Sequence, residues 1–138
     1  MLLCVEIHAT RKLVADHCAV LADVCLISAG NDGVGEDGAG RIQRGTYGNV
    51  QVHVRQHGSD RSPALTAHHP EIANPSDVLP TDVSCSEAIF STPQILFTNL
   101  ATASALLNAF LLEISGARGY NELCFDIAEG RMQPLVLG

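Results

Sequence analysis

The stretch "STPQILFTNLATASALLNAFLLEISGARG" limits what this chain can become more than any other feature. From Pro93 it runs for about 23 residues with a single charge, Glu113, before Gly116, just the length that crosses a bilayer. Its ends carry the punctuation of a helix. Ser91 or Thr92 is placed to cap, Pro93 suits the first turn, and Gly116 follows the last apolar residue. Gln94, Asn99, Asn108 and Glu113 break the apolar surface on several sides, which a lipid-facing span avoids. The expectation is therefore a long buried helix in a folded core, with Ala101, Ala105 and Ala109 permitting close packing.

A chain of 138 residues leaves room for a single domain, 1–138, built around such a helix. With 46% hydrophobic and 17% charged residues it has the composition of a globular protein. The net charge of −7 and the lone lysine, Lys12, argue against a nucleic-acid surface, which needs clustered cations. Five cysteines without regular spacing, and no basic segment leading into an apolar one, suggest a reducing, cytoplasmic setting. No membrane partner is expected.

Upstream of the helix the pattern alternates strand and helix. "LLCVEI" reads as a short strand. In "HATRKLVADHCAVLAD", Ala9, Leu13, Val14, Cys18 and Leu21 share a helical face, and "DVCLISA" reads as an interior strand of a parallel sheet. "GTYGNVQVHVR" alternates Val50, Val52 and Val54 with Asn49, Gln51, His53 and Arg55, as a strand with one buried face does. Residues 56–90, rich in Pro, Asp, Asn and Ser, lack periodicity and form a crossover loop. "ELCFDIAEGRMQPLVLG" reads as an antiparallel hairpin turning at Glu129–Gly130. The class is α/β: a β-α-β start, a crossover loop, a long buried helix and closing antiparallel strands.

Three stretches invite chemistry. In "GNDGVGEDGAG", Gly33, Gly35 and Gly38 match a dinucleotide fingerprint, but a strand follows where the phosphate-binding helix should open, and Glu36 and Asp37 would repel phosphate. Asp32, Glu36 and Asp37 also miss the calcium-loop spacing, so a flexible turn between strands is the favoured reading. His53, His57, His68, His69 and Cys85 have ligand chemistry but poor metal spacing; exposed loop histidines are the plainer reading, and no zinc is expected. Cys85, in "TDVSCSEAIF" ahead of the long helix, is either a reachable thiol or a small buried hydrophobe. Cys4, Cys18, Cys25 and Cys124 read as core.

Taken in order, these segments resemble the second half of the ThiF/MoeB/HesA, ubiquitin-activating (E1-like) family of adenylyltransferases, whose domain has a Rossmann-like, three-layer NAD/FAD-binding fold. "CVEIHATRKLVADHC" resembles the family's Cys-x-Asp-Asn-x-x-x-Arg segment, with Glu6 at the aspartate, Ile7 at the asparagine and Arg11 at the arginine. "GTYGNVQVHV" resembles its Gly-x-(Val/Ile)-x-Val strand. "VSCSEAIFSTPQ" is similar to the end of its crossover loop, and "ELCFDIAEGRMQPL" to its terminal strands. The glycine fingerprint and the ATP-contacting residues of that family belong to a first half that these residues do not include, and its paired C-x-x-C motifs are missing.

The resemblance implies ATP-dependent activation of the C-terminal glycine of a ubiquitin-like or sulfur-carrier protein. Glu6 would stand at the position that holds Mg²⁺ on ATP, with Arg11 beside it, and Cys85 at the position of a thioester-forming nucleophile. It further implies a homodimer, or a partner supplying the N-terminal half. A non-catalytic protein-binding module of the same fold is the alternative.

Overall fold

A computed structural model describes residues 1–36, 40–82 and 93–137. Strand β1 (Leu2–Cys4), helix α1 (His8–Ala19) and strand β2 (Val24–Asn31) form the expected opening unit, with β1 parallel to β2. A ribbon of β3 (Val34–Glu36) and β4 (Ile42–Arg44) leads to β5 (Tyr47–Gln56), which runs antiparallel to β2. The hairpin of β7 (Glu122–Asp126) and β8 (Arg131–Leu135) closes the sheet in the order β1-β2-β5-β7-β8, with the short β6 (Ser59–Asp60) on β5. The sheet is mixed. β2 has a parallel neighbour on one side only, because a return through the short ribbon brings the chain back antiparallel, whereas a parallel return needs a longer crossover.

Both faces of the sheet are covered. Helix α3 (Leu96–Ile114) packs on one through Ala105, Leu106 and Ala109, which meet Ile27, Val50, Val52 and Phe125. On the other, Ala15 and Cys18 of α1 pack with Leu26 and with Leu65 and Ile72 from the segment after β5. That segment is more structured than its composition suggests. It contains β6, the short helix α2 (Pro70–Ala73) and a 3₁₀ turn at Pro80–Asp82.

Four expectations need correction. Helix α3 starts at Leu96, so Pro93 precedes it; no side chain caps it, and its presumed cap residues, Ser91 and Thr92, lie outside the described residues. It is also not a buried helix. Only 28% of its most apolar window is buried, and Leu100, Leu107 and Ile114 are exposed, because the sheet covers a single face of it. Helix α1 is turned from the expected face: Arg11, Ala15 and Cys18 point inward while Leu13 is 57% exposed. The polar face of β5 is buried as well, since Leu65 and the following turns lie over Asn49, Gln51 and His53. Gly116, by contrast, ends α3 as expected, with φ +67°.

Candidate functional site

Strand β1 ends at Cys4, and the next residues turn into α1 with no capping side chain of their own. Asp77, from the segment after β5, does the capping instead. Its two carboxylate oxygens each accept a hydrogen bond, from the amides of His8 and Ala9, both at 2.8 Å. A carboxylate suits this place because the first amides of a helix lack internal partners and carry partial positive charge. The crossover segment is thus pinned where β1 meets α1.

Beside this joint a cavity of about 180 Å³ is lined by Glu6, Arg11, Asn31, Asp32, Asn49 and His69, among others. Arg11 is 4% exposed. Its Nε donates to the Val5 carbonyl at 3.0 Å, while Nη2 is buried with no hydrogen-bond partner. Gly30 makes the room: a Cβ there would come within 2.1 Å of Nη2, so only glycine lets the guanidinium cross β2. Burial pushes the Arg11 pKa down, and the carboxylates of Glu71 and Glu122 oppose that. An arginine stays charged all the same, so a cation with an unused donor sits in this cavity.

Around Arg11 lies a charged cluster. His69 stands between two carboxylates, Nδ1 2.7 Å from Glu71 and Nε2 3.0 Å from Glu122. With an acceptor at each nitrogen, the doubly protonated ring is favoured; the bond to Glu122 raises the His69 pKa against the opposing effect of burial. Glu122, 3% exposed, also accepts from Asn49 Nδ2 at 3.3 Å. Burial alone would raise its pKa, but the bond and charge of His69 hold it below the usual carboxylate range. Glu71 is shifted the same way: burial would raise it, but a hydrogen bond from its own backbone amide and the bond to His69 bring it down.

The opposite rim is acidic. Burial raises the pKa of Glu6, and the negative charge of Asp32 adds to the shift, while Gln94 Nε2 donates to the Glu6 carboxylate at 2.6 Å and lowers it. Asp32 is raised by its own burial and by Asp126. Two carboxylates whose ionisation burial disfavours, lining the same cavity as a buried arginine, suit a ligand carrying both a cation and an anion.

Of the residues singled out from sequence, Glu6 and Arg11 meet in this cavity; Cys85 lies outside the described residues, as do Asp37 and Gly38 of the glycine stretch. Where a flexible turn was expected, Gly30 and Asn31 end β2 and Val34–Glu36 form β3, which pairs with β4 just beyond the stretch. The histidines part company. His53 is buried, not exposed, with Nε2 3.0 Å from Asp60, and His69 belongs to the charged cluster. Among the cysteines assigned to the core, Cys4 is exposed, since β1 is an edge strand. His69 and Asp32 were weighed from sequence only as metal ligands, with spacing against them, and Glu71, Glu122 and Asn49 were not singled out as a site. Of the last three only Glu122, a charge opening the otherwise apolar run "ELCF", carries a local sign.

Fold and site together define a mixed α/β protein with a polar cleft at the end of its parallel strand pair. No family model matches the chain, and no curated protein or solved structure matches it either.

Proposed function

We propose that this chain is the C-terminal portion of a Rossmann-like, E1-like adenylyltransferase domain, working on the C-terminal glycine of a ubiquitin-like or sulfur-carrier protein. One observation carries the reading: Glu6 and Arg11, the two residues that the resemblance places at Mg²⁺–ATP, line one cavity, and Arg11 Nη2 there lacks a partner. The donor set fits. Magnesium is usually bound by one or two carboxylates together with substrate phosphates, and Glu6 with Asp32 would supply the first part. Arg11 would neutralise phosphate charge, and the bound metal would supply further neutralisation as the carboxylate attacks the α-phosphate. A cavity of about 180 Å³ is small beside pockets that enclose whole cofactors. It suits the phosphate end, with the rest of the nucleotide held by residues beyond these.

The sheet supports the same reading. A β-α-β start and a closing antiparallel hairpin are what the resemblance implies, and no described strand pairs the outer side of β1, where further strands would join. Glutamate replaces the family aspartate and Ile7 its asparagine, so the metal would stand differently here.

The test is ATP–pyrophosphate exchange with a carrier protein ending in glycine, alone and with a candidate nucleotide-binding half added. Exchange that Glu6→Ala and Arg11→Ala each lower at least tenfold is expected. No exchange under either condition overturns the proposal.

A second reading, a non-catalytic protein-binding module, is favoured by the bonds that already engage this site, Gln94 on Glu6 and Asp77 on the α1 amides. A thiol-sensitive adduct with the carrier that Cys85→Ser abolishes speaks for the enzyme; a stable complex unaffected by Cys85→Ser, without exchange, speaks for the module.

A further inference from the structure

The carboxylate of Asp77 stands where a helix receives anions from outside. It accepts from the amides of His8 and Ala9, the first two residues of α1, both at 2.8 Å. Outward-pointing amides at a helix start, with their partial positive charge, are the groups that hold phosphate in many proteins. Ser76, Asp77 and Val78 are all exposed, so burial contributes little to keeping this carboxylate in place. It is open to exchange with an anion from solution. A second group points to the same kind of ligand. Arg11, three residues further along α1, is 4% exposed, yet its Nη2 has no hydrogen-bond partner. That atom lies against Gly30, and Gly30, Arg11 and His8 all line the cavity of about 180 Å³. Glu71 and Glu122, the carboxylates that face Arg11, are both bonded to His69. A buried guanidinium with an unused donor is costly until an anion completes it.

We propose that the α1 N-terminus and Arg11 Nη2 together receive the phosphate group of a ligand, and that Asp77 holds this site closed by standing in for that phosphate. The chemistry favours phosphate over a second carboxylate. Asp77 spends one oxygen on each amide, whereas a phosphate carries three acceptor oxygens and has one left for Arg11. A phosphate entering beside His8 takes over both amides, gains the arginine donor that Asp77 does not use, and frees the segment that carries Asp77. This rests on the cleft being a phosphate site and not on the carrier protein.

Calorimetric titration of inorganic pyrophosphate into the full chain tests it, because the sign of the effect separates two roles for Asp77. Were Asp77 only a helix cap, removing it would weaken any site on α1. As a stand-in for phosphate, its removal strengthens the site. Asp77→Ala should bind pyrophosphate about tenfold more tightly than wild type, and Asp77→Asn, whose side-chain oxygen still caps the helix, by a smaller factor. The amide resonances of His8 and Ala9 should shift as pyrophosphate is added to Asp77→Ala. Asp16→Asn, at an exposed carboxylate further along α1, should bind as the wild type does. Tighter binding of ATP than of pyrophosphate in Asp77→Ala marks a nucleotide as the source of the phosphate, and equal binding marks the free anion; both support the site. Should Asp77→Ala misfold, Asp77→Asn carries the test. Unchanged or weaker binding in the folded Asp77 variants overturns the proposal, and so does an equal gain in Asp16→Asn, which would make overall charge the cause. Tight pyrophosphate binding without carrier-dependent exchange removes the adenylyltransferase and leaves this site. Exchange, with Asp77 variants binding no tighter than wild type, removes this site and leaves the enzyme.

Discussion

The two faces of the central sheet are covered by opposite means. Toward α3 the contact is dry: Val50, Val52, Leu123 and Phe125 meet Ala105, Leu106 and Ala109, and each fully buried large side chain contributes about 1.5–3 kcal/mol. Toward α1 and the crossover segment, Arg11, Asn49, His53 and Glu122 are buried alongside a smaller apolar cluster. Burying such groups gives little net stability, and leaving one unpaired is costly. The dry face therefore holds the fold, and the polar face holds the cleft.

The largest effect that would sharpen this contrast is expected at Glu122. Glu122→Ala leaves Arg11 and His69 with Glu71 alone of the two carboxylates that face them both, and should lower unfolding stability by about 4 kcal/mol in urea titration, as broken buried ion pairs do. A loss under about 1 kcal/mol would mean that the cluster is well hydrated and the contrast is false. On the dry side, Leu106→Ala should cost about 3 kcal/mol from lost burial and the cavity left behind, without altering ligand binding in the cleft. A binding defect from Leu106→Ala would show the two faces to be coupled.

Gly30→Ala should follow at about 2 kcal/mol, because the new methyl displaces the Arg11 guanidinium from β2. Arg11→Ala combined with Gly30→Ala removes the clash, so the alanine should then add little to the cost of losing Arg11; an undiminished penalty would place the strain elsewhere. The smallest effect is the dependence on pH. The raised His69 pKa makes its contribution fully present below the ordinary histidine value near 6.5 and lost as pH rises through the folded-state value above that. The lowered Glu122 and Glu71 contribute above the ordinary carboxylate value near 4.5 and lose that contribution as pH falls through their folded-state values. Thermal melts should therefore peak between about 4.5 and 6.5, and His69→Gln should flatten the alkaline side of that peak.

Much of the framework was legible because local pattern dictated it. The apolar run closed by Gly116 is α3, the alternation of Val50, Val52 and Val54 is β5, and the turn at Glu129–Gly130 joins β7 to β8. Arg11 was legible as a site residue only through resemblance, since in a helical wheel an arginine counts toward the solvated side. It went inward because Gly30 opens space across β2, and carboxylates from two distant segments oppose the cost of its burial. His69 gave no local sign of its role, since its partner Glu122 is far along the chain.

By itself, then, the sequence determined the longer elements, α1, α3, β2, β5 and the β7–β8 hairpin, but not the short β3, β4, β6 and α2, because hydrophobic period, proline and glycine mark an element only where it runs for several residues. Only the tertiary structure decided which face of α1 and of α3 is buried, which charges meet around Arg11, and that β2 lies between one parallel and one antiparallel neighbour. Those outcomes rest on contacts between residues tens of positions apart, where space and charge compensation override the preference of any single residue.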